Sequence, residues 1–200
     1  MKTLVLASAN AHKIKEFNEI LNDFNVVPMN EIGFAEDIIE DGKTFAENSK
    51  IKAEAIHRFC VEKNMDCFVV ADDSGLIVNS LNGEPGVMSA RYSGGHGNDK
   101  ANRDKVLKLL ENEKDRSAYF ACAITLINPN GECVQVEGQT DGIILPNEVG
   151  YDGFGYDCIF FSADLGKSFG EASKDEKNSV SHRGRALTIL KEIIKEKNWW

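Results

Sequence analysis

Two adjacent carboxylates, Asp72 and Asp73, close the apolar run Cys67-Phe68-Val69-Val70-Ala71 and are followed by Ser74 and Gly75. Open α/β sheets bind ligands beyond the ends of their strands, and carboxylates placed there commonly hold Mg²⁺, which prefers oxygen ligands. Neighbouring strand residues point to opposite faces, so the two acids divide their work: one faces a ligand and the other braces a turn. The plain alternative is an Asp-rich turn in which Gly75 supplies a positive φ. A third acid, Glu40 in Glu40-Asp41-Gly42, is no more than loop solubility unless its loop faces Asp73.

Three further segments carry chemistry for a nucleotide. Ser8-Ala9-Asn10-Ala11-His12-Lys13 joins an apolar run to a helical pattern. Such a turn offers free N–H groups and the positive end of a helix dipole to a phosphate. It is not a Walker A loop, which needs G-x-x-x-x-G-K-[ST], and taken alone it reads as a capping Asn10 and a solvated Lys13. Gly153-Phe154-Gly155-Tyr156-Asp157 sets glycines around two aromatics, a platform for stacking a planar base; the alternative is a tight turn packing into a minor core. Lys177 with Ser181-His182-Arg183-Gly184 groups donors suited to the acceptors of a base, or forms a solvated helix end. Ser93-Gly94-Gly95-His96-Gly97 lacks a G-x-G-x-x-G frame and reads as a flexible loop.

Regular elements must position these groups. Residues 2–7 read as a short buried strand, and Phe17, Ile20, Leu21 and Phe24 recur at helical spacing after it. Thr44-Phe45-Ala46-Glu47 is a capping box that opens a helix running to about Val61. The run at 67–71 suits a strand buried on both faces. It ends at the acids, and a separate strand, Leu76-Ile77-Val78, follows. Residues 81–98 read mostly as loop, before a helix with Val106, Leu107, Leu109 and Leu110 as its stripe. Residues 117–127 and 132–140 alternate as two strands around Asn128-Pro129-Asn130-Gly131, a hairpin signal. Ile159-Phe160-Phe161 is a strand. The last helix carries Ala186, Leu187, Ile189, Leu190, Ile193 and Ile194. Helices interleaved with strands plus a hairpin predict an α/β fold with a mixed sheet.

Composition narrows the classes. The chain has 200 residues, 42% hydrophobic and 28% charged, which fits one folded domain or one domain in two lobes. Its formal net charge is −9 and lysines alternate with acids, so the basic stripe of a nucleic acid polymer binder is missing. A small anion remains compatible, because a few local cations and a metal reverse the field at one site. Five cysteines without a C-x-x-C pair predict neither a disulfide framework nor a zinc site. No apolar run reaches the ~20 residues of a membrane span, and the expected compartment is the cytoplasm.

In order and combination these motifs are stronger than any one alone. The chain resembles the inosine triphosphate pyrophosphatase family, also called dITP/XTP pyrophosphatases. The resemblance runs from Leu4 to the final helix. It rests on S-A-N-A-H-K with Glu16, T-F-A-E-N with Lys52-Ala53, A-D-D-S-G-L, P-G-V-M-S-A-R-Y-S-G, G-F-G-Y-D and E-K-N-S-V-S-H-R-G.

The resemblance implies an elongated α/β fold, a central mixed sheet flanked by helices, with two lobes around a cleft, and a homodimer. It implies Mg²⁺-dependent hydrolysis of ITP, dITP or XTP between the α and β phosphates, with Mn²⁺ as a substitute ion. The purpose is to keep deaminated purines out of DNA and RNA. By position, Ser8, Ala9, Asn10, Ala11, His12 and Lys13 grip the triphosphate, with Lys52 as a further clamp. Glu40 and Asp73 match the metal-binding acids, and Asp73 also the general base. Ser74 matches a phosphate or sugar contact. Phe154, Gly155, Tyr156 and Asp157 match the base-stacking motif, and Lys177, His182 and Arg183 the residues that read the base.

Donors from His182 or Arg183 would pair with a C6 oxygen and leave adenine's amino group unpaired, a strong basis for rejection. Two departures from the family pattern stand out: Cys158 replaces a common proline, and Ser8-Ala9 replaces a frequent Thr-Gly. Two other readings use the same residues, a pyrophosphatase for another modified nucleotide and a nucleotide sensor without turnover.

Overall fold

Leu4-Val5-Leu6 lies in β1 (Thr3–Leu6) and is fully buried. In the computed structural model, which describes residues 2–95 and 97–199, β1 pairs in parallel with β2 (Asn25–Pro28) and with β3 (Phe68–Val78). The strand β3 departs from expectation. It does not end at the acids but continues through Asp72, Asp73, Ser74 and Gly75 to Val78 as one element of 11 residues. Gly75 therefore supplies no turn: a Cβ there would lie 2.6 Å from the Gly86 carbonyl oxygen and 2.9 Å from the Ser89 Cβ. Its small size admits a neighbouring segment against the strand.

The sheet is completed by β4 (Ser117–Ile127), β5 (Cys133–Ile144), β6 (Phe160–Ser162) and β7 (Lys167–Ser168). Its order is β2-β1-β3-β4-β5-β6-β7, with β5, β6 and β7 antiparallel, so the sheet is mixed and open. The β4–β5 hairpin turns on Asn128, whose Oδ1 accepts from the amides of Asn130 and Glu132 at 3.0 and 2.9 Å. Gly131 takes the positive φ of 85° that closes it.

Among the described residues, five α-helices flank the strands: α1 (Ala11–Ile20), α2 (Phe45–Glu62), α3 (Asp99–Leu109), α4 (Lys174–Val180) and α5 (His182–Glu196). The Thr44 capping box is present in full. A second box, Ser173 with Glu176, starts α4, a helix that apolar periodicity did not predict. The segment expected to be mostly loop carries a short 3-10 helix, Gly86–Arg91; His96 of the glycine-rich stretch lies outside the described residues. Among those described, no helix is long and apolar enough to cross a membrane.

The chain divides into two compact units, one of Met1–Asp73, Ala123–Glu137 and Ala186–Trp200, the other of Ser74–Cys122 and Gly138–Arg185. Each has its own core. In the first, Val5, Val69 and Ala71 of the sheet pack with Ala53, Ile56 and Cys60 of α2. In the second, Leu76, Phe120, Ile144 and Phe160 of the sheet pack with Val106 and Leu110 at the end of α3, and with Phe169 and Tyr156.

Candidate active site

In the first unit, β3 sets Asp72 and Asp73 on different partners. Asp72 is 1% exposed, and its carboxylate forms an ion pair with the Lys13 ammonium. Lys13 is therefore not a solvated lysine. It stands one turn into α1, whose start is fixed by Asn10: Oδ1 accepts from the amides of His12 and Lys13 at 2.9 and 3.2 Å. The Asn10 amide in turn donates to Ser8 Oγ at 3.1 Å. The capping reading of Asn10 thus describes its side-chain oxygen, while Ala9, Asn10, Ala11 and His12 are exposed.

Asp73 faces Lys52 and, through it, Glu40. The Lys52 ammonium lies 3.1 Å from Asp73 Oδ1 and 2.8 Å from Glu40 Oε2, bridging two acids 33 positions apart in sequence (73 minus 40). Glu40 comes from the loop before α2, and that loop is fastened to the helix. The Gly42 amide donates to Asn48 Oδ1 at 2.9 Å. Gly42 packs so closely that a Cβ would stand 2.6 Å from that oxygen and 2.8 Å from the Glu47 Cβ. Asp41 is exposed and takes no part in this bridge.

The electrostatics follow from this packing. Burial pushes the Asp73 carboxyl above the ordinary carboxylate range, opposed by Lys52 and Lys13 and aided by Glu40. Burial disfavours the charge on Lys52, yet Asp73, Glu40 and Asp72 together outweigh it and hold the ammonium above its usual value. Asp73 Oδ2 is buried and has no hydrogen-bond partner among the described residues, an arrangement that costs free energy unless something else completes it. Among the described residues no three His, Cys, Asp or Glu side chains gather as a ligand set. Glu40 and Asp73 make a two-carboxylate site with one orphaned oxygen. That fits Mg²⁺, which takes one or two carboxylates and fills its remaining positions with water and substrate phosphates.

In the second unit, Asp157 organises the G-F-G-Y-D segment. Its Oδ2 accepts from the Phe154 amide at 2.8 Å and from the Lys177 ammonium at 2.7 Å. Gly153, at φ 80°, is obligatory beside it, because a Cβ would lie 2.8 Å from the Asp157 carboxyl carbon. Lys177 is 6% exposed and sits 4.7 Å from the Phe154 ring centroid, a cation–π geometry.

The two aromatics expected to stack on a base separate here. Phe154 is half-buried. Tyr156 is 5% exposed, belongs to the core, and donates its hydroxyl to the Ser89 carbonyl at 2.8 Å. With its ring in the core and its hydroxyl engaged, Tyr156 anchors the segment that carries Phe154. His182 is also enclosed: its ring stacks on Phe120 at 4.9 Å with 15° between planes. Arg183, 1% exposed, donates to Ser74 Oγ at 2.9 Å, and so ties the start of α5 to β3. Sequence reasoning missed the fastening role of Asn48 and the Lys13–Asp72 pair. The motif T-F-A-E-N contained the first, and nothing local signals the second.

A sequence model of the Ham1 family matches residues 4–193. The chain is 50% identical over 200 residues to the dITP/XTP pyrophosphatase of Clostridium perfringens, with 98% of each chain covered. It is 48% identical over 198 residues to the dITP/XTP pyrophosphatase of Desulfotalea psychrophila, covering 96% of this chain and 86% of that one. Among solved structures it superposes on the Staphylococcus aureus Ham1 protein with a TM-score of 0.85 and 40% identity, covering 98% of this chain and 100% of the other. A HAM1 protein from Coxiella burnetii gives 0.84 and 39%, with the same coverage.

Proposed function

The chain belongs to the Ham1 family, and from that premise we propose that it hydrolyses the non-standard purine nucleotides ITP, dITP and XTP to monophosphate and pyrophosphate. The observation that carries the reading is the buried Asp73 carboxylate, with one oxygen unpartnered and the other facing Lys52 beside Glu40. Acids and lysines so interleaved suit a polyanion that arrives with a divalent cation.

Glu40 and Asp73 are the residues that would hold Mg²⁺, or Mn²⁺ in its place. When bound, the ion supplies neutralisation of phosphate charge and acidification of water. Lys13 and Lys52 counter the remaining charge of the triphosphate, and the turn from Ser8 through Ala9, Asn10, Ala11 and His12, exposed from Ala9 onward, brings the positive start of α1 to it. Asp73 takes a proton from the attacking water. The new bond forms between the water oxygen and the α phosphorus, and the α–β bridging bond breaks to release pyrophosphate. Burial of Asp73 makes it a better base than an exposed aspartate, whose ordinary pKa of ~4 is poorly matched to neutral pH.

For the base, Phe154 provides the stacking ring, with Lys177 on one face and the purine on the other. Tyr156, Gly155 and Asp157 hold that ring in place. Arg183, with Ser74 and His182, supplies donors for a C6 oxygen. The same reading takes the chain as one nucleotide-processing domain in two lobes, active in the cytoplasm as a homodimer that needs no nucleic acid polymer and no membrane.

The test is pyrophosphate release from ITP, XTP, ATP, GTP and TTP, with and without Mg²⁺, beside an Asp73→Asn variant. Metal-dependent release from ITP and XTP alone, falling by about 10²-fold or more in the variant, is the expected result. Binding of ITP without release of pyrophosphate would overturn the hydrolytic reading in favour of a sensor.

A further inference from the structure

Helix α3 entered the sequence reading only for its apolar stripe, yet the first turns of that same side of the helix take hold of the segment that carries Phe154. The Gly155 amide donates to Asp99 Oδ2 at 3.0 Å, and the Gly155 carbonyl accepts from Arg103 at 2.8 Å. Asp99 and Arg103 are four residues apart on α3, so they rise from one face of the helix. Both backbone polar groups of a single residue are thus held from the same helical surface. Arg103 is itself aimed by Glu148, which accepts from its Nε at 2.7 Å. The preceding residue is held too: the Phe154 amide donates to Asp157 Oδ2 at 2.8 Å, and its carbonyl accepts the Asp157 amide at 3.1 Å.

Phe154 and Gly155 therefore have all four of their backbone polar groups engaged, in a turn where Gly155 adopts φ 59°. A glycine at positive φ left to itself is among the most mobile points of a chain. Stacking affinity depends on how much ordering remains to be done when the ligand arrives. Pinning this dipeptide fixes the plane of the Phe154 ring before a base reaches it.

We infer that Asp99 and Arg103 of α3 are positioning residues for purine recognition, acting on the base through Gly155 and the Phe154 ring. The inference rests on the proposed role of Phe154 as the stacking ring. It concerns ground-state binding of the base and not the phosphate chemistry, and so it makes a separable claim.

Asp99→Ala and Arg103→Ala are compared with Asp99→Asn, which keeps a side-chain oxygen able to accept the Gly155 amide. Two readouts are taken: steady-state hydrolysis of ITP, and hydrogen exchange at the Gly155 amide against the amides of β1. The alanine variants are expected to raise KM for ITP about five- to tenfold, the effect of roughly one net hydrogen bond, with kcat within about twofold. Exchange at Gly155 accelerates while β1 stays protected, and Asp99→Asn restores both values.

An unchanged KM with faster exchange at Gly155 would overturn the inference, as would a fall in kcat with KM unchanged. If alanine variants fail to fold, Asp99→Asn beside Arg103→Met serves instead: methionine keeps an unbranched apolar stem but has no N–H for Glu148 or Gly155, so KM must rise in that variant alone. Wild-type protein that binds ITP without hydrolysing it would sink the pyrophosphatase reading, and the clamp would then be judged on the same fold-change in Kd. Failure to bind ITP at all would remove both.

Discussion

At the scale of the residue, Asp73 is placed for chemistry and against stability. Burial raises its carboxyl above the ordinary value of 3.8, so folding disfavours its ionised form relative to the unfolded chain. The contribution of such a group is fully favourable below the unfolded carboxylate pKa and is lost as pH rises through the raised folded value. At neutral pH its ionised form therefore weighs against the fold, in spite of Lys52. Asp73→Asn keeps an oxygen for Lys52 and removes the charge. It is expected to melt at the same or a higher temperature than the wild type at pH 7, with the gain shrinking towards pH 4, while activity is lost. Thermal denaturation across pH checks this, and a variant markedly less stable at pH 7 would contradict it. Sacrificed stability at a working carboxylate is a familiar trade-off.

At the scale of the element, positions follow from fastenings that lie outside the residues doing chemistry. Glu40 reaches Lys52 because Gly42 lies flat on the first turns of α2 and donates to Asn48. Gly42→Ala would force its new methyl to within 2.8 Å of the Glu47 Cβ and 3.0 Å of the Asn48 amide nitrogen. The loop must then lift, carrying Glu40 with it. Half-maximal rate is expected to require roughly three- to tenfold more Mg²⁺, an effect of the size of a lost hydrogen bond, with KM for ITP at saturating Mg²⁺ little changed. A Mg²⁺ titration of both proteins distinguishes this from general loss of activity.

The elements also show where sequence was readable and where it was not. The Thr44 box and the Asn128 turn were legible because capping and hairpin turns are written in a few adjacent residues. The continuation of β3 through two aspartates was not. Acids in a strand interior run against propensity, and Lys13 and Lys52, from distant parts of the chain, help make them tolerable there. The same applies to the surroundings of Tyr156 and His182: the bond of the first to Ser89 and the stacking of the second on Phe120 are tertiary facts. Glu40 reads in sequence equally as loop solubility or metal ligand, because its place beside Lys52 is set by the fold.

At the scale of the whole molecule, each unit rests on its own apolar cluster, and the sheet strands supply both. In the second, Phe160 is fully buried, 4.6 Å from Phe120 and 5.1 Å from Phe169 between ring centroids. Phe160→Ala is expected to cost about 3–5 kcal/mol, read as a lower urea midpoint. The surviving folded fraction should keep its Mg²⁺ requirement, since the acids and Lys52 belong to the other unit. A change in the metal requirement would show that this core also shapes the acid cluster.

The unbroken course of β3 has a consequence for how the chain tolerates changes of length. Side chains alternate along a strand, so gaining or losing one residue anywhere from Phe68 to Ala71 would exchange the directions of Asp72 and Asp73. Lys13 and Lys52 would then each meet the wrong acid, with both buried charges misplaced at once. No single substitution repairs that. Insertions and deletions are therefore barred from this strand in any working variant, whether selected in nature or assembled in a library. The exposed stretch around Gly94 and Gly95 is where the chain can grow or shorten.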